Sequence, residues 1–197
     1  MPKSKAIPSS ANQKAITGQR VQLNGYVLWL TGLSGAGKST IAAQLKQELL
    51  ARGQPVCVLD GDVLRAGLCS DLGFSPADRK ENIRRIGELA KLFAATGVIC
   101  IVAVISPYRT DRRQARTLIE QGRFIEIYVN APLEVCERRD PKGLYAKARK
   151  GEIAEFTGIS SRYEPPEKPE IELHTDKLSI TESVAEVLDF IKLNVAG

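Results

Sequence analysis

The feature that most constrains this chain is the motif G-x-x-x-x-G-K-S/T, which the residues from Gly32 to Ser39 match in full. A short apolar run, Tyr26–Leu30, precedes the motif and indicates a buried strand, and apolar residues recur at helical spacing from Ile41 to Leu49. A glycine-rich turn between strand and helix lets backbone N–H groups surround an anion, and the helix dipole adds positive potential there. The motif therefore predicts a phosphate-binding loop, and a chance glycine turn is the alternative.

Strands and helices alternate along the rest of the chain. Apolar runs predict strands at Pro55–Leu59, Val98–Ile105, Phe124–Val129 and Ile171–Leu173. Helical spacing predicts helices over Asp78–Thr96 and Arg113–Gln121, a short helix through Leu133, Val135 and Cys136, and a last helix behind a capping box of Ser179 and Glu182. The uncharged run Val98–Ile105 is expected to be a central strand covered on both faces. The alternation predicts the α/β fold of P-loop NTPases, a parallel β-sheet with helices on both faces.

The bulk composition fits one globular domain. The chain has 197 residues, of which 43% are hydrophobic and 26% charged, and it lacks the run of roughly 18 apolar residues that a bilayer requires. Its first residues lack the apolar core of a signal peptide, so we expect a cytoplasmic protein that does not bind membranes. We expect residues 1–20 to form a flexible tail and residues 21–197 to form the P-loop domain.

The net charge of +5 raises the question of nucleic-acid binding. Much of the excess lies in the opening stretch, which contains Lys3, Lys5, Lys14 and Arg20 and no acidic residue. Because no aromatic-rich basic stripe accompanies these residues, a solvated tail is favoured over a nucleic-acid arm. The 4 cysteines are widely spaced, which favours core packing over a zinc site or a disulfide framework.

One stretch, residues 140–169, breaks the alternation. It combines basic residues, glycines and prolines without clear periodicity. A structureless segment of this length in a compact domain is usually a linker, a disordered loop or an active-site lid. Its position between two core elements argues against a linker, and we favour a lid over a floppy loop. Residues 140–169 are called the lid segment below.

The phosphate loop predicts nucleotide binding, and a second group of polar residues bears on the reaction. Lys38 is expected to reach the β- and γ-phosphates of the nucleotide, and the Ser39 hydroxyl to ligate Mg²⁺. Asp60 and Asp62 follow the second strand, with Arg65 three residues further on. Strand ends on one sheet edge gather beside the phosphate loop, so the two acids are expected to face the metal and the incoming hydroxyl. A surface turn is the alternative for these acids.

These residues belong to a longer series of motifs that resembles the adenylylsulfate (APS) kinase family, from about Gly25 to Asn194. The motifs are Gly32–Thr40, Leu59–Arg65, Leu72–Ser75, Asp78–Arg85, Ile105–Arg109, Asp140–Tyr145 and Phe156–Ile159. The resemblance implies ATP and Mg²⁺ as cofactors and transfer of the γ-phosphoryl group to the 3′-hydroxyl of APS. The product would be 3′-phosphoadenosine 5′-phosphosulfate, the activated sulfate of sulfate assimilation. The resemblance also implies a homodimer.

The resemblance, together with the chemistry above, assigns the site residues. The expected catalytic residues are Lys38, Asp60, Asp62 and Lys142, with Ser39 and Asp60 at the metal. The expected ATP-binding residues are Gly32, Leu33, Ser34, Gly35, Ala36, Gly37, Lys38, Ser39, Thr40 and Arg138. The expected APS-binding residues are Asp62, Arg65, Phe74, Arg79, Asn82, Ile105, Ser106, Lys142, Leu144 and Phe156.

The acceptor residues have roles that suit APS. Phe74 and Phe156 are implied to sandwich the adenine, for which any π face suffices, and core packing is the alternative. Three polar side chains are implied to hold the phosphosulfate, for which arginine forks are well suited: Arg65, Arg79 and Asn82. The residues Ile105 and Ser106 would supply backbone and hydroxyl contacts near the acceptor.

The remaining roles concern the phosphoryl group. Asp62 is expected to orient or deprotonate the 3′-hydroxyl, and Asp60 to act nearer the Mg²⁺ shell, although this division could be reversed. Lys142 is implied to bring positive charge to the phosphates when the lid closes, which would also exclude water. Arg138 and Arg139 would hold the ATP base or phosphates, with a surface helix end as the alternative.

Three other functions compete with this interpretation. Another small P-loop kinase, for a nucleoside monophosphate, gluconate or shikimate, would keep Lys38 and the lid but need different acceptor residues. A non-catalytic sensor of the product would belong to a different class, and the intact Lys38, Ser39 and Asp62 argue against it. A nucleic-acid-binding role depends on the basic tail alone and ranks last.

Overall fold

The structure is a computed structural model that describes residues 25–195. In this part of the chain the strands form a single 5-stranded sheet in which every neighbouring pair is parallel and the order is β2-β3-β1-β4-β5. The strands are β1 (Val27–Thr31), β2 (Val56–Asp60), β3 (Ile99–Ala103), β4 (Phe124–Asn130) and β5 (Ile171–His174). The parallel α/β fold predicted from the alternation is confirmed.

Helices connect the strands and cover both faces of the sheet. They are α1 (Lys38–Ala51), α2 (Gly61–Ala66), α3 (Pro76–Ala95), α4 (Arg109–Thr117), α5 (Leu133–Arg139), α6 (Leu144–Arg149) and α7 (Ile180–Asn194). None of the helices within residues 25–195 is long and apolar enough to cross a membrane.

Two apolar clusters form the core, one on each face of the sheet. The larger contains the inner faces of α1 and α7, with Leu45 and Val187 fully buried, against alternate residues of β1, β3 and β4. The smaller contains the inner faces of α3 and α4. Each residue of β1 and β3 is buried, because helices cover both sides of these interior strands.

Several predicted boundaries agree closely with the structure. The helix α3 begins behind Ser75, whose side chain accepts a hydrogen bond from the Asp78 backbone N–H. The predicted capping box is present at α7, because Ser179 accepts from the Glu182 N–H while the Glu182 side chain accepts from the Ser179 N–H.

Other boundaries were wrong. The helix α4 begins at Arg109 and not at Arg113. The prediction missed its first turn because the residues there are polar and charged and show no apolar periodicity. The short helix α2 was not predicted, since it follows Asp60 directly and buries only Leu64.

The lid segment is only partly irregular. It contains α6, which begins where both carboxylate oxygens of Asp140 accept hydrogen bonds from the N–H groups of Tyr145 and Ala146. The expectation of a structureless segment was therefore wrong over these residues. The predicted tail, residues 1–20, lies outside the described residues. The division of the chain into a tail and a domain therefore stays a prediction.

Candidate active site

A cavity of about 1000 Å³ opens at the carboxyl edge of the sheet, where parallel α/β sheets bind ligands. The phosphate loop after β1, the acidic turn after β2 and the loop after β3 contribute to its wall, together with part of the lid segment. All the site residues predicted from the sequence line this cavity except Gly32, Leu33 and Arg138. The structure therefore brings together residues that lie up to 122 positions apart, between Ser34 and Phe156.

The phosphate loop depends on glycine at specific positions. A Cβ atom at Gly32 would lie 2.3 Å from the backbone oxygen of Val129, which is closer than such atoms can approach. Gly37 has φ +107° at the position where α1 begins, a conformation that other residues rarely adopt. These positions let the loop pass close to β4 and turn its N–H groups toward the cavity.

Lys38 curls over the phosphate loop. Its Nζ donates to the backbone oxygens of Gly32 at 2.9 Å and Leu33 at 2.8 Å, and its side chain is buried. These bonds use two of the three N–H donors of the ammonium group and leave one to reach a phosphate oxygen. Burial lowers the pKa of Lys38 to about 8, although the nearby Asp60 and Asp62 carboxylates oppose this shift.

Ser39 and the two acids after β2 are joined by hydrogen bonds. Ser39 Oγ donates to Asp60 Oδ2 at 2.6 Å, and Asp60 Oδ1 accepts from the Asp62 backbone N–H at 2.9 Å, which caps α2. This arrangement fits Mg²⁺, which prefers oxygen ligands and keeps several waters and substrate phosphates in its shell. Within residues 25–195, no group of three or more His, Cys, Asp and Glu side chains could hold a metal alone.

Asp62 forms an ion pair with Lys142 from the lid segment. Both side chains are about half exposed or more, so the pair lies at the mouth of the cavity and not in its interior. The lid lysine thus contacts the candidate base in this structure. The expected contact of Lys142 with phosphates stays a prediction.

The two arginines that line the acceptor pocket donate hydrogen bonds to backbone oxygens in its wall. Arg65 Nη1 donates to the backbone oxygen of Gly73 at 2.9 Å, and its guanidinium group lies 4.4 Å from the centre of the Phe74 ring. Arg79 is buried and donates to the backbone oxygens of Phe74 at 2.8 Å and Glu155 at 2.5 Å, and also to Thr157 Oγ1 at 2.9 Å. Arg79 therefore ties the Phe74 loop to the lid segment.

The two predicted stacking aromatics line the same cavity but differ in burial. Phe74 is 58% exposed, whereas Phe156 is 8% exposed and makes an edge contact with Tyr145 at 4.9 Å between ring centres. Asn82 lines the same cavity, is buried, and its Oδ1 has no hydrogen-bond partner within the described chain. A buried amide oxygen without a partner indicates space for a polar ligand or water.

Ser106 lines the cavity but directs its hydroxyl inward. Its Oγ donates to Thr31 Oγ1 at 2.9 Å and accepts from Trp29 Nε1 at 3.1 Å. The Ser106 hydroxyl thus makes hydrogen bonds within the protein in this structure, and its expected contact with the acceptor stays a prediction. The backbone of Ile105 and Ser106 remains at the cavity wall.

At the other end of the cavity, the structure places Arg139, and not Arg138, against the phosphate loop. Arg139 donates to the backbone oxygens of Gly35 at 3.3 Å and Thr175 at 2.5 Å, whereas Arg138 is exposed outside the cavity lining. Sequence reasoning missed Thr175, whose hydroxyl donates to the Ala36 backbone oxygen at 2.8 Å. Its position directly after β5 was the available signal, because strand ends gather at this edge.

The site combines a phosphate loop after β1, an acidic turn after β2 and a lid segment that carries a lysine. These features define a P-loop kinase. Comparison with known proteins agrees with this class. The sequence model of the adenylylsulphate kinase family matches residues 24–174. The chain belongs to this family.

Individual relatives support the assignment over most of the chain. An adenylyl-sulfate kinase of Bacillus velezensis is 58% identical over 178 residues, which cover 90% of each chain. One from Vibrio cholerae is 59% identical over 162 residues, covering 82% of this chain and 75% of the relative. A structure of the Mycobacterium tuberculosis APS kinase in complex with AMPPNP and APS has a TM-score of 0.82 and 48% identity, and it covers 85% of this chain and 98% of that one.

The lowered pKa of Lys38 predicts proton uptake when a nucleotide binds. Lys38 has a pKa of about 8 in the free protein, and a bound phosphate would favour its charged form and raise this pKa. At pH 8.5 we expect binding of Mg-ATP to take up a substantial fraction of a proton, and at pH 7 much less. The affinity should weaken as the pH rises above 8, where the free lysine is neutral.

Calorimetry in buffers of different ionisation enthalpy measures this uptake. The control is Lys38→Arg, whose guanidinium stays protonated at pH 8.5 and should show no uptake. Equal uptake by both proteins would contradict the role given to Lys38.

Proposed function

We propose that this chain transfers the γ-phosphoryl group of ATP to the 3′-hydroxyl of adenosine 5′-phosphosulfate, giving 3′-phosphoadenosine 5′-phosphosulfate for sulfate assimilation. The observation that carries the proposal is a single cavity with a phosphate loop at one end and an aromatic and arginine-lined pocket at the other. Membership of the adenylylsulphate kinase family supports the same donor and acceptor.

The donor end of the cavity suits Mg-ATP. The loop N–H groups and the start of α1 would surround the phosphates, and Lys38 would donate its remaining N–H to a phosphate oxygen. Ser39 would hold the metal directly, with Asp60 oriented behind it by their 2.6 Å hydrogen bond. Bound Mg²⁺ supplies neutralisation of the charge on the phosphates.

The acceptor end suits a nucleotide that carries a second anionic group. Phe74, largely exposed, and Phe156 would contact the two faces of adenine, since both rings line the cavity. Arg65 and Arg79 would neutralise the phosphosulfate, and the amide N–H group of Asn82 would donate a hydrogen bond to it. Leu144, at the start of α6, would close the apolar side of the pocket.

Asp62 would position the 3′-hydroxyl and accept its proton. Such chemistry depends mainly on alignment and charge neutralisation, so positioning is the larger part of the role. The ion pair with Lys142 holds the carboxylate at the cavity mouth before substrates bind. When the acceptor enters, Lys142 would move to the transferring phosphoryl group, and the lid segment would exclude water that competes as an acceptor.

The competing functions need residues that this cavity does not favour. A gluconate or shikimate kinase has no use for two ring faces beside the acceptor arginines. A product sensor has no use for an intact Lys38, Ser39 and Asp62. The homodimer and the cytoplasmic location that we expected both stay predictions.

The acceptor preference tests the proposal. In a coupled assay with Mg-ATP we expect rapid turnover of APS and little turnover of AMP, shikimate or gluconate, because AMP lacks the sulfate and the other two lack the adenine ring. Turnover of a different acceptor would keep the kinase but overturn the APS assignment. Tight binding of APS without turnover would favour the sensor.

The role of Asp62 can be tested by Asp62→Asn, which keeps the shape of the side chain and removes its charge. We expect kcat to fall by about 100-fold with little change in KM for APS, because the residue acts mainly in the transition state. The matched control is Asp71→Asn, since Asp71 is also an exposed aspartate paired with a cation, Arg85. A pure affinity defect in Asp62→Asn would show that its role is substrate binding.

A further inference from the structure

A buried arginine outside the predicted site holds the wall of the acceptor pocket. Arg112 lies on α4, and only 2% of its side chain is exposed. Its Nη1 donates to the backbone oxygen of Ser106 at 2.6 Å, and its Nη2 donates to that of Glu164 at 2.7 Å. Its Nε donates to Glu126 Oε1 at 2.7 Å. One guanidinium group therefore joins the loop after β3, the lid segment and β4.

The loop after β3 needs such support because its backbone is strained. Ser106 has φ +43°, a left-handed conformation that residues other than glycine rarely adopt, and it is buried beside the cavity. Conformations of this kind persist when surrounding contacts hold them, and they cluster at functional sites. The Ser106 carbonyl that Arg112 holds belongs to this strained residue.

A second set of contacts holds the same residue from its side chain. Thr31 Oγ1 donates its one hydrogen to the Ile105 backbone oxygen at 2.7 Å, so it accepts from Ser106 Oγ at 2.9 Å and from the Tyr163 hydroxyl at 3.1 Å. Thr31 ends β1 and directly precedes the phosphate loop. The strained loop is thus connected both to the donor site, through Thr31, and to the lid segment, through Tyr163.

We propose that Arg112 is a positioning residue for the phosphoryl acceptor. By holding the Ser106 carbonyl it fixes the Ile105–Ser106 wall of the acceptor pocket, and by holding the Glu164 carbonyl it ties that wall to the base of the lid segment. This inference rests on the proposed function, because it names the acceptor as the substrate that the wall orients. Arg112 itself does not line the cavity.

Lysine is the replacement that separates this role from a merely structural one. A lysine at position 112 keeps a positive charge beside Glu126, a largely buried carboxylate whose other cationic partner, Arg116, lies 3.5 Å away. It cannot reproduce the guanidinium fork that reaches two backbone oxygens at once. The matched control is Arg113→Lys, the same chemical change on the same helix, at a residue whose exposed ion pair with Glu167 contributes little.

Steady-state kinetics with each substrate varied in turn provides the first readout. For Arg112→Lys we expect the KM for APS to rise about tenfold, as for the loss of one charge-assisted hydrogen bond, and the KM for ATP to change less than about twofold. Arg113→Lys should leave both values unchanged. Equal changes in the two KM values, or no change in a folded Arg112→Lys protein, would overturn the proposal.

Trp29 provides a second readout that does not require turnover. It is the only tryptophan of the chain, it is fully buried, and its Nε1–H donates to Ser106 Oγ. Movement of the loop in Arg112→Lys should shift its fluorescence emission in the substrate-free protein, whereas Arg113→Lys should match the wild type. An unshifted emission in Arg112→Lys would contradict the proposed support of Ser106.

A smaller change keeps the proposal testable if Arg112→Lys does not fold. Ser106→Ala removes the hydroxyl bonds to Trp29 and Thr31, and it should raise the KM for APS selectively in the same way. An unchanged KM for APS in that variant would overturn the positioning role of this loop. Failure of the wild type to turn over APS would instead overturn the proposed function, while the emission comparison would still report on the loop.

Discussion

The parallel pairing of β1 between β3 and β4 is the constraint on which the rest of this structure depends. Its register sets Leu30 opposite Ala103 and Thr31 opposite Tyr128, so the segments after β1 and β3 leave the sheet at the same edge. The phosphate loop can then pass within van der Waals reach of β4, but only because position 32 is a glycine. Donor and acceptor groups that are distant in sequence meet here because all the strands point the same way.

Arginines stabilise the irregular segments around this edge. Backbone oxygens outside helices and strands lack partners from regular structure, and Arg79, Arg112 and Arg139 each donate to two such oxygens in different segments. Charge-assisted hydrogen bonds of this kind are stronger than neutral ones. Arginine side chains, together with a backbone hydrogen bond from the Glu164 N–H to the Pro107 oxygen, therefore hold the lid segment to the acceptor loops.

The sequence predicts regular elements of this protein better than it predicts the partners of polar side chains. Apolar periodicity located all five strands, and the Ser179 capping box marked the start of the last helix. The polar first turn of α4 and the helix within the lid segment have little apolar period, so both were missed. Motif spacing placed Asp60, Asp62 and Lys38 at one cavity. Adjacent helical residues point in different directions, and spacing alone could not predict which of Arg138 and Arg139 faces the phosphate loop. It also could not reveal that the Ser106 hydroxyl faces Trp29 and Thr31, which come from a strand over 70 residues away.

The position of the transferred phosphate tests the central claim most directly. The product formed from APS and Mg-ATP can be isolated and its new phosphate ester located by ³¹P–¹H correlation NMR. We expect a single product with the phosphate on the 3′-oxygen of the ribose, because Asp62 lies beside the phosphate loop, linked to Ser39 through Asp60, and would direct one hydroxyl toward the donor. A phosphate on the 2′-oxygen, a mixture of the two, or release of inorganic phosphate alone would contradict it.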